Sequence, residues 1–120
     1  MEKTIYDIHR RARIYLADEA ENSIYTWDGH AVAWLDGEQV YGWRGRHLGW
    51  FVAGILYDGA GYRVGFTAET CPEETYAEPA KYAKHRQTQR FTHSAPYARP
   101  TLSQGNSAQD LDEFIRQDAP

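Results

Sequence analysis

Ile24-Tyr25-Thr26-Trp27-Asp28-Gly29-His30-Ala31-Val32-Ala33-Trp34-Leu35 returns sixteen residues later as Val40-Tyr41-Gly42-Trp43-Arg44-Gly45-Arg46-His47-Leu48-Gly49-Trp50-Phe51. After sixteen more it reads Leu56-Tyr57-Asp58-Gly59-Ala60-Gly61-Tyr62-Arg63-Val64-Gly65-Phe66-Thr67. A fixed period of this length marks a repeated supersecondary unit. Each copy holds two runs rich in Tyr, Trp, Val and Ile, which favour strands. Asp28-Gly29, Arg44-Gly45 and Ala60-Gly61 separate the two runs, and Gly accepts the positive φ that hairpin turns require. Asp36-Gly37 and Val52-Ala53-Gly54 punctuate the links. The pattern predicts a continuous antiparallel meander of hairpins.

A two-residue loop at Asp28-Gly29 places Trp27 opposite His30, Thr26 opposite Ala31, Tyr25 opposite Val32 and Ile24 opposite Ala33. Side chains alternate between faces along a strand. One face then carries Tyr25, Trp27, Val32 and Trp34, with counterparts in the next two copies. The other carries Ile24, Ala33 and Leu35, then Val40, Gly49 and Phe51, then Leu56 and Gly65. Both faces are partly apolar, so neither is a fully wetted surface. The small column Ala33, Gly49, Gly65 predicts close approach of another backbone or a ring. The hairpins are expected to pack around a common axis.

Ile5-Tyr6-Asp7-Ile8-His9-Arg10-Arg11-Ala12-Arg13-Ile14-Tyr15-Leu16 reads as a fourth, degenerate copy, with Arg10 at the turn glycine and Arg13 where the others have Val or Leu. An insertion around Asp18-Glu19-Ala20-Glu21 lengthens its link. Four hairpins give about eight strands. The expected class is therefore all-β: a pseudo-fourfold repeat over residues 1–70, an extended or flexible aromatic and basic tail over 71–106, and one short amphipathic helix within 107–118. In the tail, rings or small polar residues recur at every third position from Tyr76 to Pro100, which suits extended chain. Ser107-Ala108-Gln109-Asp110 resembles a capping box, and Leu111, Phe114 and Ile115 share one helical face. So short a helix is marginal alone and is expected to dock.

The chain has 120 residues, enough for one domain, and a net charge of −4 that favours no partner class. Its single cysteine, Cys71, excludes an intrachain disulfide and suits a reducing cytosol. The first residues contain no apolar signal-peptide core, and no run approaches the ~20 apolar residues of a membrane span. A cytoplasmic, bacterial-type domain is expected. Lys81, Lys84, Arg86, Arg90 and Arg99 give the tail a charge of +5 between Glu78 and Asp110, against −9 for the rest. A basic tail lying on its own acidic domain is favoured over a nucleic-acid contact.

The repeats, with their Ile/Val/Leu-Tyr starts, intervening Gly and small-Trp/Phe ends, resemble the bacterial 4-fold beta flower domain over roughly residues 5–67. The residues that carry the resemblance are Ile24-Tyr25-Thr26-Trp27-Asp28-Gly29, Gly45-Arg46-His47-Leu48-Gly49-Trp50-Phe51 and Arg63-Val64-Gly65-Phe66. The aromatic tail and C-terminal helix are similar too. The resemblance implies four β-hairpins in a pseudo-fourfold array and no particular activity.

The expected function is a noncatalytic protein-interaction or structural module. Leu111, Phe114 and Ile115 are the candidate surface for a protein partner or self-association. The alternative is carbohydrate or small-ligand binding: Trp27 and Trp43 beside the turns offer rings for stacking, and Arg44, Arg46 and His47 could hold an anion. A third reading is an enzyme using His47 with Asp58, although Asp58 opposite Arg63 reads more simply as a cross-strand ion pair. The five histidines form no ligand-spaced pair, so no metal or cofactor is expected. Folding accounts for what the copies share. A site is expected where they differ, at Arg46-His47, at Asp58 and Arg63, and at Arg10 and Arg13.

Overall fold

The computed structural model describes residues 2–17 and 22–120, so the expected insertion at Asp18–Glu21 lies outside the described residues. Eight strands form: β1 (Lys3–Tyr6), β2 (Ala12–Leu16), β3 (Ser23–Thr26), β4 (Ala31–Asp36), β5 (Gln39–Gly42), β6 (His47–Val52), β7 (Ile55–Tyr57) and β8 (Arg63–Phe66). Each pairs antiparallel with its neighbour in sequence, and Tyr6 opposite Phe66 joins β1 to β8, so the meander closes into a barrel. A single helix follows, α1 (Leu111–Arg116). The molecule is a thick disc of 36 × 36 × 23 Å.

The four hairpin tips share one geometry, the degenerate first copy included. Thr26 N–H donates to the His30 carbonyl and Gly29 N–H to the Thr26 carbonyl, and the same pair of bonds recurs at Asp7/Arg11 and Arg10/Asp7, and in the other two copies. The loops are thus three residues long, not two, with the third residue at positive φ: Arg10 (69°), Gly29 (93°), Gly45 (93°) and Gly61 (89°). A bulge follows. Ile24 pairs with Ala33, but Tyr25 pairs with Ala31, leaving Val32 as the extra residue, and each hairpin has the same shift. The expected Tyr25–Val32 and Trp27–His30 pairings are therefore corrected. The bulge turns Val32, Leu48 and Val64 away from the aromatic face and into the interior, where they pack with Ile5, Ile14, Ile24, Val40 and Leu56.

Four short hairpins leave space along the barrel axis, and α1 fills it. Leu111, Phe114 and Ile115 are buried in the same interior cluster. A Cβ on Gly49 would lie 3.1 Å from Phe114 Cζ, and one on Gly65 would lie 3.3 Å from Leu111 Cδ1. The Tyr57 carbonyl and the Ile5 side chain lie nearer still, so the small column makes room both for the neighbouring strands and for the helix. The helix N-cap is Asp110, whose carboxylate accepts from Asp112 N–H and Glu113 N–H, rather than Ser107. Ser107 instead donates its hydroxyl to buried Asp58 at 2.6 Å.

Tip carboxylates complete the hairpins. Asp7 accepts from His9 and Arg11 N–H, and Asp58 accepts from Ala60 and Tyr62 N–H. Thr26 holds the same position in the second copy and accepts from His30 N–H. Gly42 has no side chain, and the carboxylate of Asp118 takes the vacant place, accepting from Arg46 N–H at 3.0 Å.

Residues 71–106 carry no regular secondary structure beyond a bridge at Asn106, yet they follow a strict rule. Tyr76 N–H donates to the Arg10 carbonyl, His85 to Gly29, Ser94 to Gly45 and Ser103 to Gly61, at 2.9–3.0 Å. The donors step by nine residues while the acceptors step from tip to tip. The tail is a strap that visits all four hairpins in turn.

Two predictions follow from this packing. Phe114→Ala empties the barrel axis and is expected to cost about 3–5 kcal/mol in urea denaturation. Gly45→Ala forces Cβ onto the Thr92 carbonyl at a positive φ. It is expected to cost at least about 1 kcal/mol and to speed tryptic cleavage of the strap at Arg86 and Arg90.

Candidate functional site

The outer face of the barrel is a ring of aromatic seams. Where one hairpin meets the next, cross-strand partners are Tyr15 and Tyr25, Trp34 and Tyr41, Trp50 and Tyr57, and Phe66 and Tyr6. The strap covers these seams with its cations. Lys81 Nζ lies 4.5 Å from the Tyr15 ring centroid, Lys84 Nζ 4.9 Å from Tyr25, and Arg90 Cζ 4.9 Å from Trp34 and 5.2 Å from Trp43. His93 stacks on Tyr41 at 4.2 Å. Lys81 and Lys84 at one seam are matched by Arg90 and His93 at the next, one nine-residue step on. Each such contact contributes about 0.5–2 kcal/mol, depending on its desolvation. Lys81 and Lys84 also pair with Glu2, and Arg99 with Glu38.

The tip residues singled out in the sequence anchor this strap. Trp43 is 1% exposed, and its indole N–H donates to the Thr88 carbonyl. Trp27 donates to the Pro79 carbonyl in the same way. Neither ring is the open stacking platform that the sequence suggested. His47 is buried opposite Tyr41, not Gly42, and is enclosed by Tyr41, Trp50 and Tyr97. Its Nδ1 accepts from Tyr97 N–H at 3.0 Å, and its Nε2 has no hydrogen-bond partner among the described residues. Residues 79, 88 and 97 are again nine apart, so His47 takes over in the third step the anchoring that Trp27 and Trp43 perform in the first two. Arg44 and Arg46 are exposed, but backbone N–H groups beside them already hold the carbonyl and carboxylate of Asp118.

Asp58 is bound to its own loop and to Ser107, and among the described residues no ion pair joins it to Arg63. Arg63 pairs by its backbone with the strap at Asn106, and among the described residues its buried Nε has no hydrogen-bond partner. Leu111, Phe114 and Ile115, expected to meet a partner, are at most 1% exposed inside the barrel. Among the described residues no group of three or more His, Cys, Asp or Glu is placed to hold a metal ion, and no helix is long and apolar enough to cross a membrane.

Two of the crevices between strap and barrel lie at equivalent places in the first and second hairpins. The first, about 390 Å³, is lined by Arg11, Ala12, Arg13, Tyr76, Ala77 and Pro79. The second, about 310 Å³, lies along His30, Ala31 and Val32 against Arg86, Gln87 and Thr88. In the first, Arg13 Nε donates to buried Asp7 at 2.9 Å, and this bond holds the guanidinium pKa above its ordinary value. Arg10 pairs with Glu73 and lies over the Tyr76 ring. Arg11 is exposed, and among the described residues its guanidinium has no ion pair. The sequence pointed to Arg10 and Arg13 through their departure from the repeat. Arg11 and Tyr76 gave no such signal, because only the strap's path brings them together.

Burial pushes the His47 pKa below its ordinary value. The unfolded chain therefore takes up this proton first, and stability falls as pH drops below about 6.5 towards the folded pKa. His47→Gln keeps an acceptor for Tyr97 N–H. It is expected to flatten the decline in urea midpoint between about pH 7 and pH 5 relative to the parent protein.

Searches of curated proteins and of solved structures return no match to this chain. The family described as 4-fold beta flower protein matches residues 3–115, which span all eight strands, the strap and most of α1. With its closed ring of four hairpins on the page, the chain belongs to the 4-fold beta flower family.

Proposed function

We propose that this chain is a noncatalytic bacterial interaction module of the cytoplasm, and that it binds a protein partner through the exposed rings on the outer side of its strap. The observation that carries the reading is the exposure of Tyr82 (70%), Phe91 (60%) and Tyr97 (68%) in a molecule whose other rings are mostly covered. Tyr82 and Phe91 are one strap step apart. Their N–H groups hold the Trp27 and Trp43 carbonyls, so the backbone is fixed while the rings point outward. Exposed aromatics mark protein contacts more often than chance.

The absence of a catalytic role is supported by His47 and Asp58, the candidate pair, each being spent on strap or loop hydrogen bonds. Glycan stacking on Trp27 and Trp43 loses support for the same reason. A nucleic-acid role is weakened by the engagement of Lys81, Lys84, Arg90 and Arg99 within the chain.

The test is cross-linking capture from host cytosol with the parent protein and with Tyr82→Ser/Phe91→Ser, followed by affinity measurement on the purified partner. Because both rings are solvent-facing, the variant is expected to keep its urea midpoint and to lose roughly tenfold or more in affinity. Equal recovery and equal affinity for both proteins would overturn the reading.

A further inference from the structure

The first crevice has the features of a binding site that the interaction reading does not use. We propose that the crevice between β2 and the strap binds a small organic oxyanion, a carboxylate or phosphate carried on a compact apolar or aromatic body. Its floor is Ala12, its walls are Tyr76, Ala77 and Pro79, and Arg11 and Arg13 stand at its sides. The space of about 390 Å³ lies within the usual range for small-ligand sites.

Arg11 is the guanidinium at the crevice without a carboxylate held against it. Arg10 is committed to Glu73 and Arg13 to Asp7, with Asp110 and Asp112 also acting on the Arg13 charge from farther off, whereas among the described residues no ion pair holds Arg11. Arg13 is positioned from behind. Buried Asp7 is itself fixed by His9 and Arg11 N–H, and it holds Arg13 through Nε. The terminal nitrogens of Arg13 make no hydrogen bond among the described residues. A guanidinium held in this way presents its outer edge with little entropy left to lose, and that edge fits a carboxylate or phosphate in two-point contact. The equivalent position in the other hairpins is Val32, Leu48 or Val64, each turned into the apolar interior. Arginine here is therefore not what the fold asks for. The Ala12 side chain leaves the floor open, whereas His47 and Arg63 stand at the matching place in the third and fourth hairpins. The second crevice has Val32 in place of Arg13; its guanidinium groups, Arg86 and Arg116, come from the strap and α1, and among the described residues neither is paired with a buried carboxylate.

The test is titration of the full chain with phenyl phosphate, benzoate, inorganic phosphate and neutral benzamide, followed by amide and arginine side-chain NMR shifts. Phenyl phosphate and benzoate are expected to shift signals of Arg11, Ala12 and Arg13. Inorganic phosphate is expected to bind more weakly, and benzamide not to bind. Arg11→Gln changes an exposed side chain and is expected to weaken phenyl phosphate by roughly tenfold or more, with an unchanged urea midpoint. Ala77→Leu narrows the crevice from its solvent side and is expected to weaken both aromatic anions while sparing inorganic phosphate. Absence of localised shifts with any anion, equal binding of benzamide, or unchanged affinity in Arg11→Gln would overturn the proposal.

Discussion

Four backbone carbonyls at positive φ, those of Arg10, Gly29, Gly45 and Gly61, hold the structure's outer layer in place. They point outward because each closes a three-residue hairpin loop, and each receives one N–H of the strap. At the three glycine tips a side chain would obstruct the strap directly, a Cβ on Gly61 lying 2.8 Å from the Thr101 carbonyl, whereas the first tip accommodates Arg10. From this constraint come the covering of the aromatic seams, the anchoring roles of Trp27, Trp43 and His47, and the crevices left between strap and barrel. The interior obeys a complementary constraint. Four short hairpins cannot fill their own axis, and α1 supplies the missing apolar volume.

The hairpin repeat was legible because its signals are local. Turn glycines, Tyr and Trp, and a sixteen-residue period all act within one copy, and even the degenerate first copy kept enough of them to be recognised. The bulge was not legible. Val32 and Ala33 are both apolar, so strict alternation and a one-residue shift fit the same letters, and the sequence reading turned Val32 to the wrong face. The strap's nine-residue step was hidden for another reason. Its regular contacts run through backbone N–H groups, which leave no residue signature, and only their threefold submultiple surfaced as spaced rings and small residues.

The candidate residues were displaced in an instructive way. Trp27, Trp43 and His47 stood out by size and polarity, and that same size lets them reach across to the strap. Leu111, Phe114 and Ile115 were recognised as a face in need of a partner, and the partner is the barrel itself. The irregular first copy was the better guide. Arg10 and Arg13 depart from the repeat without any demand from the fold; Arg13 lines the crevice beside Ala12, and Arg10 lies over Tyr76, which lines it too.

The closure of β1 on β8 and the seating of α1 have a consequence for biosynthesis. The interior is complete only when residues 111–115 meet strands formed from residues 3–66, and the first strand waits for the last to cover its edge. During translation the early hairpins therefore leave the ribosome with an uncovered strand edge and an unfilled apolar groove, the kind of surface that engages chaperones or neighbouring nascent chains. Their sequential pairing with nearest neighbours limits that exposure, since each new hairpin covers the edge of the one before it.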